Sequence, residues 1–592
     1  MTHRVNKHLG ATVHDDGVDF VVWAPFAKEV SLLLAVEFES KEIPMKSDNN
    51  GYWSIENVTA EPGQSYKYRI TTVDGTQLDR NDPYARQLTD SDNGSSVIVL
   101  RNFEWEGTEN FTPVPREKAV IYEMHIGTFN KPDASTGGTF SDAIDKLDYL
   151  KSLGITYIEL MPVTSMASSQ GWGYAPNYIF SVENSYGSRH GLLNFVKACH
   201  EKGIGVILDV VYNHFYTNTD LWQFDGWSEN NRGGIYFYND ERGDTPWGGR
   251  PDYGRPEVRQ FILDNITMWF TEFKMDGLRV DSTIYMRTTD GDNNDPNQTI
   301  PDAWSLLAEM TTLAHKINKN AIMIAEDNSS NNNLVAPVSE GGAGFSAQWD
   351  VGFPHVIRDS LGITQNGSQA RLDGITWGIN HNYTGDAFDR IVFSDSHDTA
   401  ANGSVRINEA TTPGNAESLS ARQRILLASA VALTTPGIPM LLQGQEFMQD
   451  GAFNDWKMLE WQKTEQFAGI VLAHQHLIDL RCNKYNNTAG LLGQNTQIIH
   501  RDDTNNVVAY LRSNKGGNLD DTVVIVNFGA TRFDKYDLNF PYEATWRVRF
   551  NSCWKGYSVD FHETNISSIK VGSNKKATIP LAAFSVIILS VD

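Results

Sequence analysis

The central part of the 592-residue chain repeats one pattern, a short apolar run followed by a stretch with helical periodicity. This alternation is typical of βα units, whose strands lie side by side in a parallel sheet. The runs predicted as strands are Val120–Ile126, Ile155–Leu160, Gly205–Val211, Leu278–Val280, Ala321–Ala325, Ile391–Phe393 and Met440–Leu442. A further strand is expected within Phe345–Asp350. The pattern therefore predicts an α/β fold centred on a closed (β/α)₈ barrel, the TIM-barrel architecture.

Both flanks of this central part follow the two-residue period of β-strands. Val18–Leu34 and Tyr66–Ile70 alternate apolar and polar residues. Near the other end, short β-rich runs are separated by Gly, Asn and Asp, and they are Val507–Arg512, Val523–Phe528, Trp546–Phe550 and Ala583–Ser590. We predict an N-terminal β-sandwich over 1–105, the barrel over 106–490 and a C-terminal β-sandwich over 491–592.

Charge and composition restrict the partners of the chain. Its formal net charge of −24 disfavours nucleic acid and anionic membranes, so a neutral substrate is expected. The first residues lack the apolar stretch of a signal peptide, and no apolar run approaches membrane-spanning length. Cys199, Cys482 and Cys553 lie far apart, which indicates neither a disulfide framework nor a zinc site. We expect a cytoplasmic protein that is a monomer or a weak oligomer.

Charged side chains end four of the predicted strands. The segments concerned are Asp209–His214, Gly277–Asp281, Ile324–Asp327 and Phe393–Asp398. Taken singly, an acidic residue after a strand is more often a helix cap or a solvated loop residue. In a barrel, however, the carboxyl ends of all strands surround one mouth, where active sites form. Carboxylates gathered there raise one another's pKa at a cost in stability, so the set indicates chemistry.

In this order and spacing, the four segments resemble the four signature regions of glycoside hydrolase family 13, the α-amylase family. Three flanking segments resemble the family as well: Tyr122–Thr128, Glu159–Val163 and Gly171–Tyr174. Val21–Pro25 resembles the carbohydrate-binding module that precedes the barrel in glycogen branching enzymes. The resemblance covers nearly the whole chain, and it implies an enzyme that acts on an α-glucan and needs no cofactor.

The resemblance also implies a retaining double displacement by three acidic residues. Asp281 would be the nucleophile and Glu326 the general acid/base. Asp398 would bind sugar hydroxyls and favour the oxocarbenium-like transition state. Retention requires the nucleophile and the acid/base to lie about 5–5.5 Å apart, whereas inversion needs about 6.5–9.5 Å.

Eight further residues are expected to bind the substrate or to hold the acids in place, and they are Arg279, His214, His397, Tyr174, Asp209, Trp172, Trp222 and Trp227. A cation close to a carboxylate favours its charged form, so Arg279 would keep Asp281 ionised and Asp209 would hold Arg279. The two histidines would donate hydrogen bonds to hydroxyls of one sugar, and the tyrosine would supply a stacking face.

An aromatic-rich loop without helical spacing follows the third predicted strand. It contains Trp222, Phe224, Trp227, Tyr236, Phe237, Tyr238 and Trp247. Two interpretations are equally open, namely a local mini-core and a wall of glucose-stacking subsites beside the mouth of the barrel.

The opening positions of a calcium-binding loop are matched by Asp290, Asp292 and Asn294. However, Asp295 stands where glycine is needed and Pro301 where the closing glutamate belongs, so a solvated loop is predicted. Some α-amylases bind calcium near the position that matches Asn213, whereas branching enzymes commonly do not. We therefore predict no required metal.

Three segments resemble the branching-enzyme subgroup of the family: Asp82–Ala85, Leu442–Glu446 and Arg547–Tyr557. They favour a 1,4-α-glucan branching enzyme, which would form α-1,6 branches. Glu159–Val163 and Gly171–Tyr174 also resemble maltooligosyltrehalose trehalohydrolase, which is the first alternative; an α-amylase-type hydrolase is the second.

Two segments depart from both subgroups. Ser282 and Thr283 replace the small apolar pair usual after the nucleophile, and Thr399–Gly403 matches neither subgroup. Because these positions line the acceptor side in relatives, the departures bear on reaction specificity and leave the three acids intact. An alternative of another class is a non-catalytic glucan-binding protein, which would not need all three carboxylates.

Overall fold

The computed structural model describes residues 8–36, 39–91, 94–131, 137–167, 171–293, 295–362 and 372–592. Its first strands are β1 (Gly10–His14), β2 (Gly17–Trp23), β3 (Glu29–Val36), β4 (Glu39–Pro44), β5 (Lys46–Ser47), β6 (Tyr52–Val58), β7 (Ser65–Thr71), β8 (Gln77–Arg80) and β9 (Ser96–Val97). They form two antiparallel sheets, β1-β2-β6-β5 and β4-β3-β7-β8 with β9 beside β7. Residues of β2 and β7 alternate between buried and partly exposed, and Phe20 meets Tyr66 with ring centroids 5.0 Å apart. The predicted N-terminal β-sandwich is confirmed.

Eight parallel strands of the described chain close a barrel: β10 (Ile121–Met124), β11 (Tyr157–Leu160), β14 (Gly205–Val210), β15 (Gly277–Val280), β16 (Ile322–Ala325), β17 (Ala347–Trp349), β18 (Arg390–Phe393) and β19 (Ile438–Leu442). A separate antiparallel pair, β12 (Thr164–Met166) and β13 (Pro176–Val182), lies between β11 and β14 in the chain. All predicted strands are present, and the expected additional one is β17. The predicted barrel is confirmed.

The helices surround or connect these strands. They are α1 (Ile126–Phe129), α2 (Phe140–Ile144), α3 (Leu147–Leu153), α4 (Ser188–Glu201), α5 (Pro256–Thr271), α6 (Thr283–Arg287), α7 (Pro301–Ile317), α8 (Gly352–Ser360), α9 (Leu372–Asn380), α10 (Ile407–Thr411), α11 (Leu419–Thr434), α12 (Lys463–Gln466) and α13 (Ala468–Arg481). Helix α5 shows why such segments are helical. Pro256 occupies its first turn, where the missing N–H costs nothing, while Phe261 and Trp269 are buried on its inner face.

The remaining strands are β20 (Asn495–Asp502), β21 (Val507–Ser513), β22 (Thr522–Asn527), β23 (Phe533–Asn539), β24 (Ala544–Asn551), β25 (Ser568–Val571), β26 (Lys576–Leu581) and β27 (Ser585–Val591). Six of them form the sheet β20-β21-β22-β27-β24-β25, and β23 pairs with β26. Trp546 and Leu538, one from each layer, both belong to the buried core of this region. The C-terminal all-β region is confirmed, whereas the domain limits at 105 and 490 stay predictions.

The register of the parallel strands places charged residues side by side toward the carboxyl-terminal end of the barrel. Asp209 of β14 lies opposite Arg279 of β15, and Glu123 of β10 lies opposite Glu159 of β11. Within the described ranges, every helix is too short or too polar to cross a lipid bilayer.

Candidate active site

Two acidic residues emerge side by side from neighbouring barrel strands. Asp281 directly follows β15, and its N–H donates to the carbonyl of Val210 at 3.0 Å. Glu326 directly follows β16, and its N–H donates to the carbonyl of Val280 at 3.1 Å. These bonds continue the strand ladder, so both carboxyl groups lie at the carboxyl-terminal mouth, as predicted.

Arg279 connects the acids of the site. Its Nη1 lies 2.6 Å from Asp209 Oδ2 and 2.8 Å from Asp281 Oδ1, and its Nη2 lies 3.9 Å from Glu326 Oε2. The guanidinium is buried and sits 4.3 Å above the ring centroid of Trp349. Burial alone would lower the pKa of Arg279, but Asp209 and the other acids raise it well above its usual value. The cation therefore stays charged and holds three carboxyl groups together.

Asp281 has both carboxylate oxygens engaged. Arg279 binds Oδ1, while the side-chain amide of Asn213 donates to Oδ2 at 2.7 Å and to the Asp281 carbonyl at 3.0 Å. The carbonyl oxygen of the Asn213 side chain faces His214 Nδ1 at 2.5 Å. Asn213 therefore orients the predicted nucleophile.

Glu326 is a buried acid that keeps its proton. Burial raises its pKa to about 8; Arg279 opposes the shift, and Asp281 and Asp398 add to it. The N–H of Ser282 donates to Glu326 Oε2 at 2.7 Å. Ser282 adopts a left-handed conformation with φ of 40°, which few non-glycine residues adopt without a local reason. The bond to Glu326 supplies that reason.

Thr283 explains part of the departure from the usual apolar pair. Its hydroxyl is buried and bonds the Glu326 carbonyl and Asp327 Oδ2, both at 2.9 Å. Arg287 Nε donates to the same Asp327 oxygen at 2.9 Å. The hydroxyl thus ties the segment after Asp281 to the segment that carries Glu326.

His397 is clamped between two acids. Its backbone N–H donates to Glu123 Oε2 at 2.9 Å, and its Nδ1 lies 2.5 Å from Glu123 Oε1. Its Nε2 lies 3.4 Å from Asp398 Oδ1 and 3.1 Å from the Tyr174 hydroxyl. Burial would lower the pKa of His397, but Asp398 and Glu123 raise it to about 9. The imidazolium therefore persists at neutral pH beside the half-exposed Asp398.

Tyr174 and Trp172 surround this histidine. The Tyr174 ring stacks on His397 at 5.3 Å, and its hydroxyl donates to Asp209 at 2.6 Å. Trp172 meets His397 edge-on at 5.7 Å and packs against Phe453 at 5.5 Å. Both predicted residues lie beside the acids, and one face of the Tyr174 ring stacks on His397 of the protein itself.

His214 contacts protein oxygens through both nitrogens of its ring. Its Nδ1 faces the Asn213 side chain, and its Nε2 faces the Tyr174 carbonyl at 2.8 Å. Burial lowers the pKa of His214. The ring holds Asn213 and the Tyr174 segment in place, and its predicted bond to a sugar hydroxyl stays a prediction.

The aromatic loop forms a mini-core, with Phe224, Tyr236, Phe237 and Tyr238 buried. Trp222 packs on Phe237 at 5.3 Å, and Trp227 stacks on Phe26 of the N-terminal sandwich at 4.4 Å. The Arg255 guanidinium lies 5.6 Å from the Trp227 ring. Trp222 and Trp227 each pack one part of the ring against the protein and stay partly exposed, so their assignment to substrate subsites stays a prediction.

Several residues of the site are not identified by the sequence pattern alone. Trp247 is half-exposed and borders the site beside His214 and Tyr285, with ring centroids 5.6 and 4.7 Å away. Glu123 lies in the family-like segment Tyr122–Thr128, which assigns it no role, and Trp349 falls inside a predicted strand segment where no motif distinguishes it. The signal for Trp247 is its place in the aromatic loop, whereas the contacts of Glu123 and Trp349 arise only from barrel closure.

Asn294 of the calcium-like loop lies outside the described residues. Among the residues that are described, no group of three or more His, Cys, Asp or Glu side chains is arranged to hold a metal ion. The absence of a required metal stays a prediction.

The barrel fold and the acids at its mouth together define a class of protein. A protonated acid, a carboxylate held by arginine and a third, exposed carboxylate lie together at the mouth of a (β/α)₈ barrel, an arrangement suited to glycosidic bond chemistry. The molecule is a carbohydrate-active barrel enzyme.

Models of known protein families match the chain in three successive parts. The alpha-amylase catalytic domain matches residues 124–251 and 227–489. Carbohydrate-binding module 48, the isoamylase N-terminal domain, matches residues 8–85, and the alpha-amylase C-terminal all-beta domain matches residues 498–592. The chain belongs to the α-amylase family, glycoside hydrolase family 13.

Curated relatives extend the comparison. A 1,4-alpha-glucan branching enzyme of Corynebacterium jeikeium is 32% identical over 574 residues, which cover 92% of this chain and 77% of the relative. A malto-oligosyltrehalose trehalohydrolase of Saccharolobus solfataricus is 31% identical over 472 residues, which cover 75% of this chain and 76% of the relative.

Solved structures share the fold. A putative alpha amylase from Salmonella typhimurium superposes with a TM-score of 0.75 at 22% identity, covering 99% of this chain and all of that one. A pullulanase from Bacillus acidopullulyticus superposes with a TM-score of 0.76 at 21% identity, covering all of this chain and 75% of that one.

Proposed function

We propose that the protein is a retaining α-glucan-active enzyme that cleaves α-1,4-glucosidic bonds and forms α-1,6 branches, a 1,4-α-glucan branching enzyme. The observation that carries the proposal is the contact of Arg279 with both Asp281 and Glu326. The two acids lie on either side of one guanidinium, which binds Asp281 closely, while burial keeps Glu326 protonated. This difference supports a nucleophile and a general acid on one scissile bond.

In the first half-reaction, Glu326 donates its proton to the glycosidic oxygen as the bond from that oxygen to the anomeric carbon breaks. Asp281 attacks the same carbon and forms a covalent glucosyl ester, while the leaving chain departs with a free 4-hydroxyl. Asp398 binds hydroxyls of the reacting sugar, and the imidazolium of His397 positions its carboxylate.

In the second half-reaction, ionised Glu326 removes a proton from the acceptor, whose oxygen attacks the anomeric carbon and displaces Asp281. If the acceptor is the 6-hydroxyl of a glucan, an α-1,6 branch results; if it is water, the bond is hydrolysed. The catalytic acids are the same in both outcomes, so the choice depends on how the acceptor side binds sugar and excludes water.

Extent of similarity favours branching over the alternatives. At nearly equal identity, the branching-enzyme relative spans 92% of the chain, whereas the trehalohydrolase relative spans 75%. Maltooligosyltrehalose trehalohydrolase stays the runner-up activity and an α-amylase-type hydrolase the next. We further propose domain limits of 1–105, 106–490 and 491–592.

Incubation with amylose tests the proposal by two measurements on the same samples. We expect α-1,6 linkages, counted by proton NMR or by debranching, to rise while new reducing ends stay flat. The iodine absorbance of amylose should fall over the same period, because branching shortens the linear chains.

Other outcomes select the alternatives. A rise in reducing ends without new branches would identify a hydrolase, and release of trehalose from maltooligosyltrehalose would identify the runner-up. Saturable glucan binding without turnover on either substrate would leave a non-catalytic glucan-binding protein.

The pH dependence of kcat/KM should report Glu326. Because its pKa is raised to about 8, the acid is protonated below that value and loses its proton as pH rises through it. Activity should therefore fall about tenfold per pH unit above about 8. Glu326→Gln should have low residual activity without this alkaline limb. A wild-type profile that is flat to about pH 10, or an identical limb in the variant, would contradict the assignment.

A further inference from the structure

A separate pocket of about 550 Å³ opens between the N-terminal sandwich and the outer barrel helices α5 and α7. The sandwich side contributes Arg86 and Arg101, and the barrel side contributes Glu272, just after α5, and Lys316 of α7. A volume of this size lies within the range of about 300–1,000 Å³ typical of small-molecule sites.

Two arginines bond the single carboxylate of Glu272, and a third lies near it. Arg86 Nη2 donates to Oε1 at 3.0 Å, and Arg189 Nη2 donates to Oε2 at 3.3 Å. Arg101 is close enough to help lower the pKa of Glu272, although burial opposes the shift. Its Nη2 donates to the backbone carbonyl of Ala11 at 2.9 Å.

Positive charge is in excess at this junction. Burial lowers the pKa of Arg101 and the neighbouring Arg86 lowers it further, while Glu272 and Asp82 only partly oppose the shift. Burial also lowers the pKa of Arg189, whose Nε is buried with no hydrogen-bond partner, although Arg189 lines a different pocket and adds only its charge to this junction. In a chain with a net charge of −24, this local surplus of cations is an exception.

Two other acids lie near the arginines, and each is engaged elsewhere. Asp82 accepts hydrogen bonds from Tyr66 at 2.6 Å and from Tyr68 at 3.3 Å, and burial raises its pKa. Asp264 lines the pocket on the α5 side and accepts a hydrogen bond from the Tyr84 hydroxyl at 3.2 Å. Glu272 is therefore the acid that directly pairs with the arginine cluster.

A contact that only joined the sandwich to the barrel would not need all three arginines. The bond from Arg86 to Glu272 already joins the sandwich to the barrel, and it needs one cation for one carboxylate. Adding Arg189 and Arg101 to the same acid adds repulsion and desolvation, which cost stability unless another anion is present. The arrangement is explained if an anion occupies the adjoining pocket.

We infer that this pocket binds a compact oxyanion, a phosphate or the phosphate monoester of a small sugar, between Arg86, Arg101 and Lys316. Guanidinium groups bind phosphate oxygens through parallel charge-assisted hydrogen bonds, and the lysine adds a point charge. Gln260, whose amide nitrogen donates to Asp264, and Thr271, whose hydroxyl donates to the Thr267 carbonyl, line the same pocket, and their oxygens can accept hydrogen bonds from an attached sugar. The inference concerns a surface other than the catalytic mouth and does not depend on the proposed activity.

Isothermal titration calorimetry of the full chain at constant ionic strength tests the inference with three probes: inorganic phosphate, glucose 6-phosphate and uncharged maltose. Phosphate and glucose 6-phosphate should bind saturably in wild type. Tighter binding of the ester would identify a sugar phosphate as the preferred source of the anion, and equal binding would identify free phosphate. Maltose reports sugar binding elsewhere on the enzyme.

Three variants make the test specific. Arg101→Gln and Lys316→Gln should each weaken phosphate binding, the first by at least about tenfold because it removes a charge-assisted contact. Arg501→Gln, which changes an arginine paired with Asp373 and Asp503 on the C-terminal side, should bind phosphate as wild type does. Glucan turnover of each variant verifies that it is folded. If Arg101→Gln does not fold, the exposed Lys316 still provides the test.

Two results would overturn the inference. One is a dissociation constant for both anions weaker than about 1 mM in wild type. The other is anion binding that both pocket variants leave unchanged, which would place the ion elsewhere on the surface.

Discussion

Asp281→Asn should abolish glucan turnover while glucan binding persists. The substitution keeps the size of the side chain and removes the nucleophilic carboxylate, so kcat should fall by about four to six orders of magnitude. Arg279 would still find an amide oxygen at the place of Oδ1, whereas the amide nitrogen at the place of Oδ2 could no longer accept the bond from Asn213. The dissociation constant for a maltooligosaccharide should therefore change by less than about tenfold.

A matched control separates this effect from the loss of a charge. Asp290→Asn makes the same chemical change at an exposed position a few residues away, and its kcat should equal that of wild type. Turnover and binding are measured on the same preparations, by linkage counting and by calorimetry. An Asp281→Asn enzyme that retains more than a tenth of wild-type kcat would remove Asp281 from the role of nucleophile.

The barrel could be predicted from the sequence because each of its strands is a short, buried apolar run. β14 and β19 are buried at every position, so their runs are nearly free of polar residues. β17 gives the weakest signal, since it has only three residues and one of them is the polar but buried Gln348. The site could also be predicted from the strand ends, because an acid that directly follows a barrel strand lies at the carboxyl-terminal mouth.

Other contacts between segments that are remote in the chain could not be predicted. Glu123 and His397 are 274 residues apart, and their hydrogen bonds exist only because β10 and β18 belong to one closed sheet. Likewise, the sequence around Trp227 would read the same whether its ring packed against a glucose or against Phe26. Aromatic residues in a loop therefore predict burial against something, and only the fold shows against what.

Arg279→Met should cost more stability than any single exposed change, because it leaves buried acids without their shared cation. We expect the free energy of unfolding to fall by about 3–5 kcal/mol, measured by urea unfolding at about pH 8. Asp209, whose pKa burial already raises to about 6 despite Arg279, would shift further upward in the variant. A folded-state pKa above the unfolded one stabilises the protein at low pH and loses that effect as pH rises. The deficit relative to wild type should therefore be smaller at about pH 5 than at about pH 8.

A double-variant cycle distinguishes this electrostatic account from a simple loss of packing. Asp209→Asn removes one of the carboxylates that Arg279 compensates, so the variant Arg279→Met/Asp209→Asn should be more stable than Arg279→Met alone at about pH 8. If the methionine acted only by its shape, the two losses would add and the double variant would be the less stable of the two. Asp373→Asn, an exposed acid that pairs with Arg501, serves as the control and should not rescue Arg279→Met.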